Sequence, residues 1–220
     1  MTPLAKFNTI VLTITSIIVF YLLGVISNIT ESHPNFKIPL AALSTVGVYN
    51  IFVFILKILI LRIRFIKKLV FGAYYLEGVW VGFFIGESNK ERYYIETFEQ
   101  DFDSLVIRGK AFKEDKGYFA SWISESSNID AKKGILNYTY QTNPIKNTFI
   151  NSGLANFEFE RKRIDAAPHK LIGFSSDLYS SKKLKSMEEK INDKPYIEDL
   201  NIALKKAKKF IMRMNTFGSN

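Results

Sequence analysis

The apolar positions of this chain fall into three successive patterns. First come two uninterrupted apolar runs, residues 7–26 and 38–56, joined by the polar turn SNITESHPNFK. Each has about the 20 residues with which a helix crosses a hydrocarbon core of roughly 30 Å, so together they predict a transmembrane hairpin. A cleaved signal peptide fits the first run poorly: its apolar part is too long, no small-residue cleavage site follows, and a second span comes at once. A buried hairpin of a soluble protein would need a core on all sides of both helices, whereas the rest of the chain reads as strands. Thr9, Thr13 and Ser16 in the first run, and Ala41, Ser44, Thr45 and Val48 in the second, make faces of small residues. Such faces mark where helices touch in lipid, either within the hairpin or between copies of the protein. Asn50, a strongly polar side chain inside a span, needs a partner on the facing helix or another subunit.

From Leu76 the pattern changes to short runs rich in aromatic and β-branched residues, separated by Gly, Asn, Asp and Ser clusters. This predicts antiparallel strands over 77–85, 92–99, 104–112, 118–124, 135–141, 154–161 and 170–175, with a further one around 147–150. Seven or eight such strands suggest a small closed barrel, with a sandwich as the alternative. Alternation points Leu136, Tyr138 and Tyr140 inward, then Phe157, Phe159 and Arg161, and sends Arg108 and Lys110 to the face opposite Leu105 and Ile107. Gly78 and Gly82 bracket Trp80; a glycine inside a strand marks a bend or a close approach. Trp80 then faces the interior, while Val79, Val81 and Phe83 need cover from outside.

From Ser180 the pattern reads as helical, interrupted by Pro195, which suits the first turn of a final helix. Leu200, Leu204, Ala207, Ile211 and Met214 fall near a 3.6-residue period, largely flanked by Lys205, Lys206, Lys208, Lys209 and Arg213. Such a helix either lies on an anionic membrane or packs its apolar face on the barrel. The expected fold class is therefore a membrane α-helical hairpin plus an all-β domain. Residues 1–70 form the hairpin and a basic juxtamembrane segment, 71–178 a β-barrel of about eight strands, and 179–220 a basic helical tail.

Charge refines this picture. The net charge is +9, but residues 72–181 hold thirteen basic against fifteen acidic side chains. The excess lies in 57–68, with five basic and no acidic residues, and in 182–213, with ten basic against five acidic. That placement favours contact with an anionic bilayer over polymeric nucleic acid. Lys57, Arg62, Arg64, Lys67 and Lys68 follow the second span, so the positive-inside rule puts both termini in the cytoplasm. The absence of cysteine fits a reducing compartment.

Catalytic chemistry finds little support. His33 lies in the turn between spans and His169 opens a strand, so with no cysteine a zinc site of ordinary spacing is excluded. No phosphate loop, nucleophile elbow or zinc-protease helix occurs. No enzyme and no cofactor are expected. What remains is binding: Trp80, Tyr93, Tyr94, Trp122, Tyr138 and Tyr140 offer flat faces and hydroxyls, which either fill a core or stack nucleobases beside an arginine.

The hairpin, the basic stretch after it and the barrel opening with GVWVG resemble the two-transmembrane, β-strand-rich effectors of bacterial CBASS antiphage defence. The resemblance runs from Phe7 to about Asp177 and rests on the order of elements with Gly78, Trp80, Gln100, the strand LVIRGKA, Trp122, the strand LNYTY, Gly153 and the IGF at Ile172. It implies a barrel that binds a cyclic dinucleotide from a partner nucleotidyltransferase, then a homo-oligomer whose helices disrupt the bacterial inner membrane and cause abortive infection. On that reading Arg161, with Arg108 and Lys110, meets the phosphates. Trp80, Tyr93, Trp122, Tyr138 and Tyr140 line the base pockets. A membrane-anchored, lipocalin-like carrier of an apolar ligand and a docking module without a small-molecule ligand are the alternatives.

Overall fold

The computed structural model describes residues 1–29, 37–85, 90–144, 151–178 and 182–217. The chain divides into two compact units, Met1–Gly72 and Ala73–Asn220.

The first unit holds helices α1 (Pro3–Ile29), α2 (Lys37–Arg62) and α3 (Arg64–Phe71). Two of them are long and apolar enough to cross a membrane, over Pro3–Leu22 and Thr45–Arg62. Phe7, Val11 and Thr15 recur every fourth residue and form the buried stripe of α1. Ile60 of α2 is buried as well, whereas many apolar side chains point outward: Leu12, Ile17, Phe20 and Phe54 are 56%, 64%, 76% and 67% exposed. Thr9 and Thr13 donate their hydroxyls to the carbonyls of Ala5 and Thr9, one turn back on their own helix. Asn50 is exposed on α2, and the side chains of Ala41 and Ser44 lie outside the described residues.

The second unit is a closed antiparallel barrel of eight strands in sequential order. These are β1 (Gly78–Ile85), β2 (Glu91–Gln100), β3 (Leu105–Phe112), β4 (Tyr118–Asp130), β5 (Ile135–Pro144), β6 (Asn151–Glu160), β7 (Lys170–Asp177) and β8 (Leu184–Asn192). The barrel, not the sandwich, is the architecture, and β8 closes it by pairing with β1. The strand expected around 147–150 lies outside the described residues. The seven other expected strands are present, six of them within three residues at each end, while β4 runs six residues past the expected end at 124.

One expectation is corrected. The segment expected to begin a helical tail at Ser180 contains β8. Its inward residues include Ser186 and Glu188, which are buried, whereas Met187 and Ile191 alternate with them on the other face. The polar set thus occupies the core side, so the usual apolar alternation is inverted and does not announce a strand. The barrel consequently runs past 178.

The barrel core contains Leu76, Trp80, Phe98, Ile107, Leu136, Phe157 and Leu171. Trp80 donates its indole N–H to the Leu76 carbonyl at 2.9 Å. Gln100 accepts from the Leu76 amide at 2.9 Å and donates to the Tyr74 carbonyl at 2.8 Å. These bonds seal the end of the barrel at which the chain enters β1. Helix α4 (Leu200–Phe217) covers the outside of β1 and β2. Its Ala203, Leu204 and Ala207 pack on Val79, Val81, Tyr93 and Ile95, and Phe210 meets Phe83 edge-on at 6.0 Å. Of the two placements open to the amphipathic helix, the structure takes the one on the barrel.

Candidate ligand-binding site in the barrel

Three aromatic residues cross the barrel wall by one device. Each lies over a glycine of the neighbouring strand, and a carboxylate stands in register on the strand beyond. Trp122 on β4 and Glu96 on β2 both pair with Gly109 on β3. A Cβ on Gly109 would sit inside the Trp122 indole, so the ring needs that glycine to reach Glu96. Tyr140 on β5 lies likewise over Gly153 on β6, toward Asp177 on β7. Tyr94 on β2 lies over Gly82 on β1, toward Glu188 on β8. An aromatic ring over a strand glycine fills the space of the missing side chain and fixes its own orientation.

Two of the crossings, those of Trp122 and Tyr94, lead to a polar core at Glu96 and Glu188. The Glu96 carboxylate accepts from the Trp122 indole N–H at 2.6 Å and from the Tyr138 hydroxyl at 2.9 Å. Glu96 and Glu188 are both fully buried, at 0% exposure. Burial raises the Glu96 carboxyl above the usual range, while hydrogen bonds from Glu188, Trp122 and Tyr138 oppose the rise. Burial, then the charge of Glu96, pushes Glu188 well above it. Two carboxyls this close cannot both ionise. The rise is the larger at Glu188, whereas Glu96 is held lower by its two donors, Trp122 and Tyr138. Burial also lifts the Tyr94, Tyr138 and Tyr140 phenols well above their usual value.

Above this core lies a cavity of about 400 Å³. That volume is at the lower end of the range of about 300–1,000 Å³ in which small-molecule sites fall. Phe84, Phe119, Trp122 and Tyr140 supply its faces, and Thr142, Ser175, Asp177 and Lys182 its polar groups. The residues come from the ends of β1, β3, β5 and β7 and the starts of the strands that follow, so the cavity occupies the end opposite the Trp80 seal. The Tyr140 hydroxyl meets Asp177 at 3.3 Å, and Tyr94 meets Trp122 edge-on at 5.7 Å. Lys182 is a cation in the lining, and Arg92, outside it, stacks over the lining residue Phe119 at 4.9 Å.

The residues singled out in the sequence part company here. Trp122, Tyr138 and Tyr140 line the cavity. Trp80 belongs to the sealed end, and Tyr93 lies outside the barrel under α4, with Lys208 over its ring at 5.3 Å. Arg108 is exposed and ion-paired with Glu99; Lys110 is exposed as well. Arg161 stands at the Trp80 end, donating to the carbonyls of Ala131 and Ile164 at 2.8 and 2.9 Å, and so ties two turns together. None of these three cations lines the cavity. Sequence reasoning passed over Glu96, Glu188, Asp177, Arg92 and Lys182. The available signal was the glycine inside each strand, which marks a close approach but not the ring that makes it.

No known protein family, curated protein or solved structure matches the chain.

Proposed function

We propose that this protein is a membrane-anchored receptor whose barrel binds a cyclic dinucleotide. As an antiphage defence effector it responds to a partner nucleotidyltransferase, oligomerises and disrupts the bacterial inner membrane through α1 and α2. The observation that carries the reading is the aromatic-walled cavity of about 400 Å³ with Lys182 in its lining and Arg92 stacked on the lining residue Phe119. Flat rings stack bases, and rim cations meet phosphates without being buried. The outward apolar side chains of α1 and α2 support the anchor, because in water they would form an exposed surface with no cover. In this arrangement the phosphates meet Arg92 and Lys182, in place of Arg108, Lys110 and Arg161.

Two buried carboxyl groups, Glu96 and Glu188, beneath the cavity weigh against placing a fatty-acid carboxylate there, and the aromatic lining keeps a neutral apolar ligand as the second reading. The test is thermal unfolding of the full chain in detergent micelles against cyclic dinucleotides and fatty acids. A ligand at a hundred times its dissociation constant stabilises by about 2.7 kcal/mol, which moves the midpoint by several degrees. A shift with a cyclic dinucleotide is the expected result. Shifts with lipids alone select the carrier, and no shift with either selects the docking module.

A further inference from the structure

The eight residues of α3 are set off at each end by a break in the helix. Ile63 is extended, with φ −94° and ψ 100°, so α3 does not continue the axis of α2. Gly72, at φ 53°, ends it by turning its N–H back to the Lys68 carbonyl. Around α3 the side chains sort into two halves. Lys67, Val70 and Phe71 are buried, and the helix packs on α2 and α1. On the other half Phe65 and Leu69, one turn apart, form an apolar ridge 77% and 70% exposed. Arg64 and Lys68, also one turn apart, are exposed beside it.

The place of α3 along the chain says what covers that ridge. Helix α2 has 26 residues. At a rise of 1.5 Å each they reach about 39 Å, beyond a hydrocarbon core of roughly 30 Å and just short of the about 40–45 Å that includes the headgroups. A spanning α2 therefore puts Lys37 and Arg62 among headgroups, and α3 begins two residues after Arg62, at the same level. No acidic side chain occurs between Glu31 and Glu77, so the charge at this level is of one sign. An apolar ridge beside a basic one matches the boundary between acyl chains and anionic phosphates. Resting on the reading of α1 and α2 as membrane spans, we propose that α3 is an in-plane anchor at the bilayer surface. Phe65 and Leu69 enter the acyl boundary, and Arg62 and Arg64 meet the phosphates of anionic lipids.

The chain has no cysteine, so a single introduced cysteine carries an environment-sensitive dye to one position of the full chain. The variants are Phe65→Cys, Leu69→Cys and Arg64→Cys, with Ile17→Cys midway along α1 and Lys110→Cys outside the barrel as references. Each is reconstituted in vesicles of phosphatidylglycerol and phosphatidylcholine that contain lipids spin-labelled near the headgroup or deep in the acyl chain. Dyes at 65 and 69 are expected to emit to the blue of the Lys110 reference. They should be quenched more by the shallow label than by the deep one, as for a face about 5–10 Å into the headgroup boundary. The dye at 64 should be quenched less than that at 65, the dye at 17 most by the deep label, and the dye at 110 by neither. Blue emission at 65 and 69 that neither label quenches overturns the proposal in favour of a protein cover, a second copy included. Water-like emission there overturns it in favour of a solvated helix, and equal quenching at 64 and 65 overturns the assignment of faces. If the dye at 17 escapes the deep label, the anchoring of α1 and α2 falls; shallow quenching at 65 and 69 would then still uphold α3 as a surface helix, and its absence would overturn both.

Discussion

Gly109 shows how much a single residue decides in this barrel. Trp122 reaches Glu96 because no side chain stands between them, and a Cβ at Gly109 would occupy the place of the indole. Gly109→Val therefore expels the ring and breaks its hydrogen bond to Glu96. A loss of about 1–3 kcal/mol, the usual cost of overpacking, is expected in denaturant unfolding, together with a red shift of tryptophan fluorescence. Glu188 makes a second, opposite kind of prediction. Its carboxyl is raised in the folded state, so between its ordinary value and its folded value the native protein holds a proton that the unfolded chain has lost. Stability is then greatest at or below the ordinary carboxylate value and falls as pH rises, by up to about 1.4 kcal/mol per pH unit for each proton. Glu188→Gln imitates the protonated form. It should unfold less readily than the parent as pH rises toward neutral, and its stability should depend less on pH; parallel pH profiles of the two proteins would contradict a raised Glu188 carboxyl. At this scale the inward rings were legible: Tyr138 and Tyr140 obey the alternation of β5 and are buried. The carboxylates were not, because a buried glutamate in a strand is written like an exposed one until its partners on other strands are known.

At the scale of elements, α4 and β8 were legible to different degrees for one physical reason. The apolar stripe of α4 was legible in part: Leu204 and Ala207 pack against the outer face that includes Val79 and Val81, whereas Leu200 is exposed and Ala203 and Phe210 complete the contact. Leu204 is 4% exposed in this interface. Leu204→Ala is expected to cost about 2–5 kcal/mol in denaturant unfolding, the range for a buried leucine. If α4 were instead loosely held, the same substitution would change stability by only a few tenths. In β8 the core side carries Ser186 and Glu188, whose reason for being buried lies on β1 and β2. A strand of this kind has no apolar signature of its own; closure of the sheet selects it, because an open barrel would leave the edges of β1 and β7 unpaired.

On the whole-molecule scale the chain separates into a helical unit and a barrel unit whose surfaces follow opposite rules. The helices show apolar side chains outward, and the barrel encloses its apolar core and an α4-covered flank. If α1 and α2 anchor the protein, the full chain should sediment with membranes and resist alkaline extraction. A fragment beginning at Ala73 should remain in the supernatant with the same β-rich circular dichroism as the barrel. Recovery of the full chain in the alkaline supernatant would remove the anchor from the proposed mechanism. By itself the sequence determined the features that depend on neighbours along the chain: two membrane-length apolar helices, seven of the eight strands, the inward rings of β5, the amphipathic α4 and the placement of basic residues beside the second helix. These are periodic or compositional, and backbone geometry converts them directly into a face or a length. Tertiary structure alone decided what depends on strands far apart. Barrel closure brought Glu96 to Glu188, laid Trp122 and Tyr140 across glycines of adjacent strands, moved Trp80 to the sealed end, and set Asp177 rather than Arg161 on the cavity wall. Those relations are set by register between strands, and the pattern within each strand carries no record of it.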